Sequence, residues 1–121
     1  MDLNGLPVLL VEDDPDSREM MTLMLSLCGA SVRAAASGHE ALAVFDAIAP
    51  AVVVSDLSMP GLDGFELLGE LQRRADVRAV AVTGHDHYRA RALSAGFRDF
   101  LSKPVDPDVL CERVGRLGAS H

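Results

Sequence analysis

The sequence predicts a single α/β domain, with five parallel strands in one doubly wound sheet covered by helices on both faces. Two observations carry that expectation. Short runs of β-branched or small apolar residues alternate with amphipathic stretches along the chain, and chemically distinct capping residues stand where the amphipathic stretches begin. A chain of 121 residues, 49% hydrophobic and 24% charged, is large enough for one real core and too small for two.

The strands are expected at "PVLLV" (7–11), "ASVRAA" (30–35), "AVVVS" (51–55), "RAVAV" (78–82) and "RDFLS" (98–102). Between them the apolar period changes to that of a helix. Met21, Met24, Leu25 and Cys28 fall at i, i+3, i+4 and i+7, and Leu110, Val114 and Leu117 repeat the pattern near the end. Asp14-Pro15 and Asp106-Pro107 each offer a side-chain acceptor at a helix cap, followed by a proline where no amide hydrogen is needed. Ser37 with Glu40 reads as a capping box. Gly29 and Gly96 sit where helices would end in a left-handed residue.

Strand composition suggests the order. The first, third and fourth are nearly all apolar and should be central, whereas Arg33 on the second and Arg98 and Asp99 on the fifth mark edges. With right-handed crossovers the simplest solution is 2-1-3-4-5, the flavodoxin-like order. Ligands in such sheets bind beyond the carboxyl ends of the strands. Glu12, Asp13 and Asp14 follow the first strand, Asp56 the third, Thr83 and Gly84 the fourth, and Lys103-Pro104 the fifth. The second strand ends in alanines, Ala34 to Ala36. Polar chemistry is therefore expected on four adjacent strands.

Converging carboxylates repel one another, and their pKa values should rise unless a positive group binds. A hard divalent cation with oxygen ligands answers that need, and Mg²⁺ (or Mn²⁺) suits few carboxylates with room for phosphate oxygens. Carboxylate, metal, hydroxyl and ammonium together make an arrangement for phosphoryl transfer. Lys103 is the single lysine beside ten arginines. Its compact ammonium suits a phosphoryl group as a point charge, and the proline after it allows a cis peptide.

The stretches "VLLVEDD", "VVVSDLSMPGLDGFELL", "AVTG" and "FLSKP" resemble, in order and spacing, the receiver domain of two-component response regulators, of the CheY-like kind, over about Pro7 to Leu117. That resemblance implies that Asp56 accepts a phosphoryl group from a histidine kinase or histidine phosphotransfer protein. It also implies that Asp13 ligates Mg²⁺ directly, with Glu12 acting through water and the carbonyl of Ser58 completing the site. Thr83 and Lys103 would hold phosphoryl oxygens, Thr83 and Phe100 would form the switch, and Ser58, Gly84 and His85 would tune the lifetime of the phosphoryl group. Asp14 is expected to cap the first helix. The expected result is a phosphorylation switch that reshapes the fourth helix, fifth strand and fifth helix for a downstream protein. It would catalyse its own phosphorylation and dephosphorylation without being a turnover enzyme. A Mg²⁺-dependent phosphohydrolase is the enzymatic alternative, but Glu12-Asp13-Asp14 lacks its Asp-x-Asp pattern; a receiver-like scaffold would often have lost an acid, the threonine or the lysine.

Other readings set the surroundings. A net charge of −7 argues against direct nucleic-acid binding. No apolar run approaches the roughly 20 residues of a membrane span, and the N-terminus lacks signal-peptide features. Cys28 and Cys111 fit no metal spacing and are expected as buried reduced thiols, hence a cytoplasmic location. His85 and His87 are expected in a solvated loop, and Met20, Met21 and Met24 as core or partner surface. The domain is expected to fill 1–121, with only "GASH" after the last helix and no output domain.

Overall fold

The computed structural model describes residues 2–119; the ends of the expected 1–121 domain, Met1 and Ser120-His121, lie outside the described residues. The elements run β1 (Pro7–Val11), α1 (Pro15–Leu27), β2 (Ser31–Ala35), α2 (Gly38–Ile48), β3 (Val52–Asp56), α3 (Gly64–Gln72), β4 (Ala79–Thr83), a 3₁₀ turn at Asp86–Tyr88, α4 (Arg89–Ala95), β5 (Asp99–Ser102) and α5 (Pro107–Ala119). All pairings are parallel and the order is β2-β1-β3-β4-β5, as strand composition indicates. β3 and β4 are buried at every position, whereas β2 alternates between exposed and covered residues.

Alternation along each strand divides the core into two layers. Val8, Leu10, Val52, Val54, Val80 and Val82 face Met21 and Leu25 of α1 and Leu110 and Val114 of α5. Leu9, Val11, Val53, Ala79 and Ala81 face α2, α3 and α4 through Phe45, Leu67, Leu71 and Ala92. One-residue steps in the apolar runs thus supply both faces of the sheet from the same strands.

Most caps follow their chemistry. Asp14 accepts from the Ser17 amide at 2.9 Å, and Asp106 accepts from Asp108 and Val109. Gly29 and Gly96 adopt φ of +96° and +118°. The Ser37–Glu40 box is only half formed: Ser37 accepts from the Glu40 amide, but Glu40 reaches back to the Ala36 amide, not to that of Ser37. The reciprocal box belongs to Asp63 and Glu66 at the start of α3.

The cysteines require a correction. Cys28 and Cys111, expected as reduced thiols, are joined in a disulfide with Cα atoms 6.6 Å apart, and no free cysteine remains among the described residues. The topology explains it. α1 and α5 lie on the same face of the sheet and pack against each other, so the apolar stripe that includes Cys28 meets the one beside Cys111. A separation of 83 residues hides that proximity in the sequence. The thiol argument for a reducing compartment therefore falls away. Among the described residues no helix is long and apolar enough to cross a membrane.

Candidate functional site

Beyond the carboxyl ends of β1, β3, β4 and β5 the predicted polar residues come together. Asp56, the last residue of β3, is 7% exposed. One carboxylate oxygen, Oδ1, accepts from the amides of Leu57 at 2.7 Å and Ser58 at 3.3 Å, so the turn after the strand holds it. The other, Oδ2, accepts from Lys103 Nζ at 3.2 Å. The Ser55 hydroxyl donates to the Asp56 carbonyl at 2.8 Å and steadies the strand end from behind.

Lys103 also donates to Glu12 Oε1 at 2.5 Å, and its own amide donates to the Thr83 carbonyl at 2.8 Å. That second bond ties the end of β5 to β4 and aims the lysine stem at the acids. The Lys103-Pro104 peptide is cis. Glu12 is fully buried, and its second oxygen accepts from the Asp14 amide. Carboxylate oxygens of Glu12, Asp13 and Asp56 lie within 4.8 Å of one another. Asp14 stays out of this cluster, spent on the helix cap, and its bond to the Ser17 amide holds its carboxyl below the ordinary range.

Burial pushes the Glu12 carboxyl up; the Lys103 bond and the Asp14 amide oppose this without reversing it, and the Asp56 charge adds to the rise. Desolvation, more than the mutual repulsion expected from the sequence, is therefore the leading cause at Glu12. Burial alone would pull the Lys103 ammonium down. Its bond to Glu12 and the charges of Asp56 and Glu12 more than reverse that, so it is held in the charged form.

Three carboxylates face one ammonium here, leaving an excess of negative charge on hard oxygen donors. That donor set fits a hard divalent cation such as Mg²⁺ and offers nothing to a soft one. Among the described residues this is the one group of three or more ligand-type side chains close enough to share an ion. His85 and His87 are exposed around a short helical turn and belong to no such group.

Thr83 ends β4 one residue beyond Val82, the register partner of Asp56, and is buried with its Oγ1 accepting from the His85 amide at 3.2 Å. Gly84 is exposed, and a Cβ there would meet nothing within 4 Å. Ser58 is exposed at the mouth. Phe100 is not at the mouth but inside: it is 1% exposed, with the guanidinium of Arg89 4.9 Å from its ring centre.

Two residues with no earlier assignment shape the site. Arg18 of α1 donates to the main-chain carbonyls of Glu12 and Asp13. Gly64 opens α3 directly against the end of β3: a Cβ there would stand 2.3 Å from the Asp56 carbonyl oxygen and 2.8 Å from Leu57 Cα. Those neighbours are backbone and cannot step aside. Gly64→Ala is expected to lower the unfolding free energy by about 1–3 kcal/mol through overpacking. Urea denaturation checks it; an unchanged midpoint would contradict the contact.

A parallel 2-1-3-4-5 sheet with acids, hydroxyl and lysine at its carboxyl ends defines the class of receiver-type α/β domains. Residues 8–115 match the response regulator receiver domain model, and the chain belongs to that family. It is 42% identical over 117 residues to an uncharacterized 14.6 kDa protein of Leptolyngbya boryana, covering 93% of this chain and 89% of that protein. It is 34% identical to a probable transcriptional regulator, ycf27, of Cyanophora paradoxa, covering 97% of this chain but 50% of that relative. The response regulator protein TrrA of Thermotoga maritima, solved in complex with Mg²⁺-BeF, superposes with a TM-score of 0.85 at 30% identity, covering 97% of this chain and 99% of that one.

Proposed function

We propose that the protein is a phosphoacceptor switch in which Asp56 takes a phosphoryl group from a phosphohistidine donor. The observation that carries the reading is the shared lysine: Nζ of Lys103 contacts both Glu12 and Asp56 beside Asp13. In the transfer, Asp56 Oδ2 attacks phosphorus, the P–N bond of the donor breaks, and the imidazole leaves with that electron pair and recovers a proton. Lys103 and the Thr83 hydroxyl neutralise charge on the phosphoryl oxygens. Asp13, Asp56 and the Ser58 carbonyl would hold Mg²⁺, with Glu12 acting through water; the ion supplies charge neutralisation at the phosphoryl oxygens. The TrrA complex with Mg²⁺-BeF supports this use of the site.

The switch follows from charge. A phosphoryl group on Asp56 draws Thr83 toward it, and Phe100, already buried before any phosphoryl group arrives, packs against the space Thr83 leaves. Phe100 already lies beneath Arg89 of α4, and its neighbour Asp99 is bound by Arg113 of α5 at 2.8 Å. α4, β5 and α5 thus share one set of contacts through which a downstream protein can read the state. Ser58, Gly84 and His85 border the phosphoryl position and set water access to it. The donor is a histidine kinase or a histidine phosphotransfer protein, and the reaction is self-modification without turnover of a released substrate.

Incubation with acetyl phosphate and Mg²⁺ is expected to add one acid-stable, base-labile phosphoryl group per chain, and chelation of the metal to stop it. Intact-mass spectrometry reads the result. No Mg²⁺-dependent uptake would leave a binding scaffold as the better reading; continuous release of phosphate from small esters would favour the hydrolase.

A further inference from the structure

We propose that Arg18 is a positioning residue for the metal site, holding the acidic turn through its main chain. β1 ends at Val11, and its ladder continues only as far as the Glu12 amide, which donates to the Ala35 carbonyl. Past that bond no strand fixes the chain, yet the direction of the Asp13 carboxylate depends on the backbone angles of this turn. Arg18 Nη1 donates to the Glu12 carbonyl at 3.0 Å and to the Asp13 carbonyl at 3.3 Å. The arginine is itself fixed, because its amide bonds the Asp14 carbonyl at 2.9 Å in the first turn of α1. α1, anchored by Asp14 and packed on the sheet through Met21 and Leu25, therefore serves as a rigid support for the turn.

The choice of partner is the informative feature. Arg18 sits among Glu12, Asp13, Asp14 and Glu19, but the hydrogen bonds of its side chain run to carbonyls and not to a carboxylate. Arg18 thus supports the turn without its side chain hydrogen-bonding any of the carboxylates that would hold an ion. Mg²⁺ demands near-ideal octahedral geometry, so loss of such a support is expected to weaken binding by roughly tenfold or more.

Electrostatics alone predicts the opposite sign. Removing a guanidinium next to a cation site lowers repulsion and should tighten binding. The test follows from that conflict. Mg²⁺ titration by calorimetry, and Mn²⁺ titration by electron paramagnetic resonance, are run on the unphosphorylated wild type, Arg18→Met and Arg18→Lys. The metal-free proteins are compared by urea denaturation, which separates a loose turn from a damaged fold. Arg18→Met is expected to bind either ion about tenfold more weakly with its denaturation midpoint little changed, and Arg18→Lys to recover part of the loss. Equal or tighter binding by Arg18→Met overturns the role assigned to Arg18. So does weak binding by both variants that matches a lost fold. The inference rests on the proposed metal site, and the wild-type titration distinguishes the two failures: a wild type that binds neither ion sinks that site itself.

Discussion

Asp56→Asn is expected to abolish phosphoryl uptake, a loss on the order of 10³-fold or more. The substitution is nearly isosteric. Its amide oxygen can keep the bonds from the Leu57 and Ser58 amides, so the turn after β3 has no reason to move. What disappears is the oxygen facing Lys103. An amide NH₂ in that place is no nucleophile, and it points a donor at an ammonium that needs an acceptor. Lys103 keeps its bond to Glu12, which limits the structural cost. Labelling by acetyl phosphate or by a phosphorylated histidine donor, followed by intact mass, measures the outcome. Undiminished labelling would move the acceptor elsewhere, with Asp13 the first residue to examine. The proposed metal site should weaken as well, since one of the three clustered carboxylates is lost.

The sheet order and most of the site were legible in the sequence for one physical reason. In a parallel sheet every strand points the same way, so residues just after the strands must share one end of the molecule. Asp56 and Lys103 are 47 residues apart in the chain yet meet there, and Glu12 reaches the same lysine from 91 residues away. Edge and centre were legible because β2 keeps an arginine where β3 and β4 admit no exposed residue. What escaped the sequence has no period or pairing signal. Arg18 acts on carbonyls, and every residue has a carbonyl. Gly64 is explained only by how closely α3 approaches β3. Glu40 satisfied the spacing of a capping box but found the Ala36 amide a better partner.

Breaking the Cys28–Cys111 bridge is expected to lower the unfolding free energy by about 2–4 kcal/mol. The bridge joins residues 83 apart, which is most of the chain, so it removes a large share of the unfolded ensemble's freedom. In a domain of this size such a loss corresponds to a fall in Tm on the order of 10 °C. The native packing should survive, because Met21 and Leu25 still meet Leu110 and Val114 on the sheet. Chemistry at Asp56 should change little: Cys28 caps the far end of α1, a 13-residue helix whose first turn borders the acids, roughly 20 Å away along its axis. Urea or thermal unfolding with and without reductant, beside a Cys28→Ser/Cys111→Ser variant, provides the measurement. Wild type should lose stability on reduction and then approach the variant, which should ignore the reductant. Two titratable thiols in the unreduced, denatured protein would show that the bridge does not form, and the drop on reduction would then vanish as well.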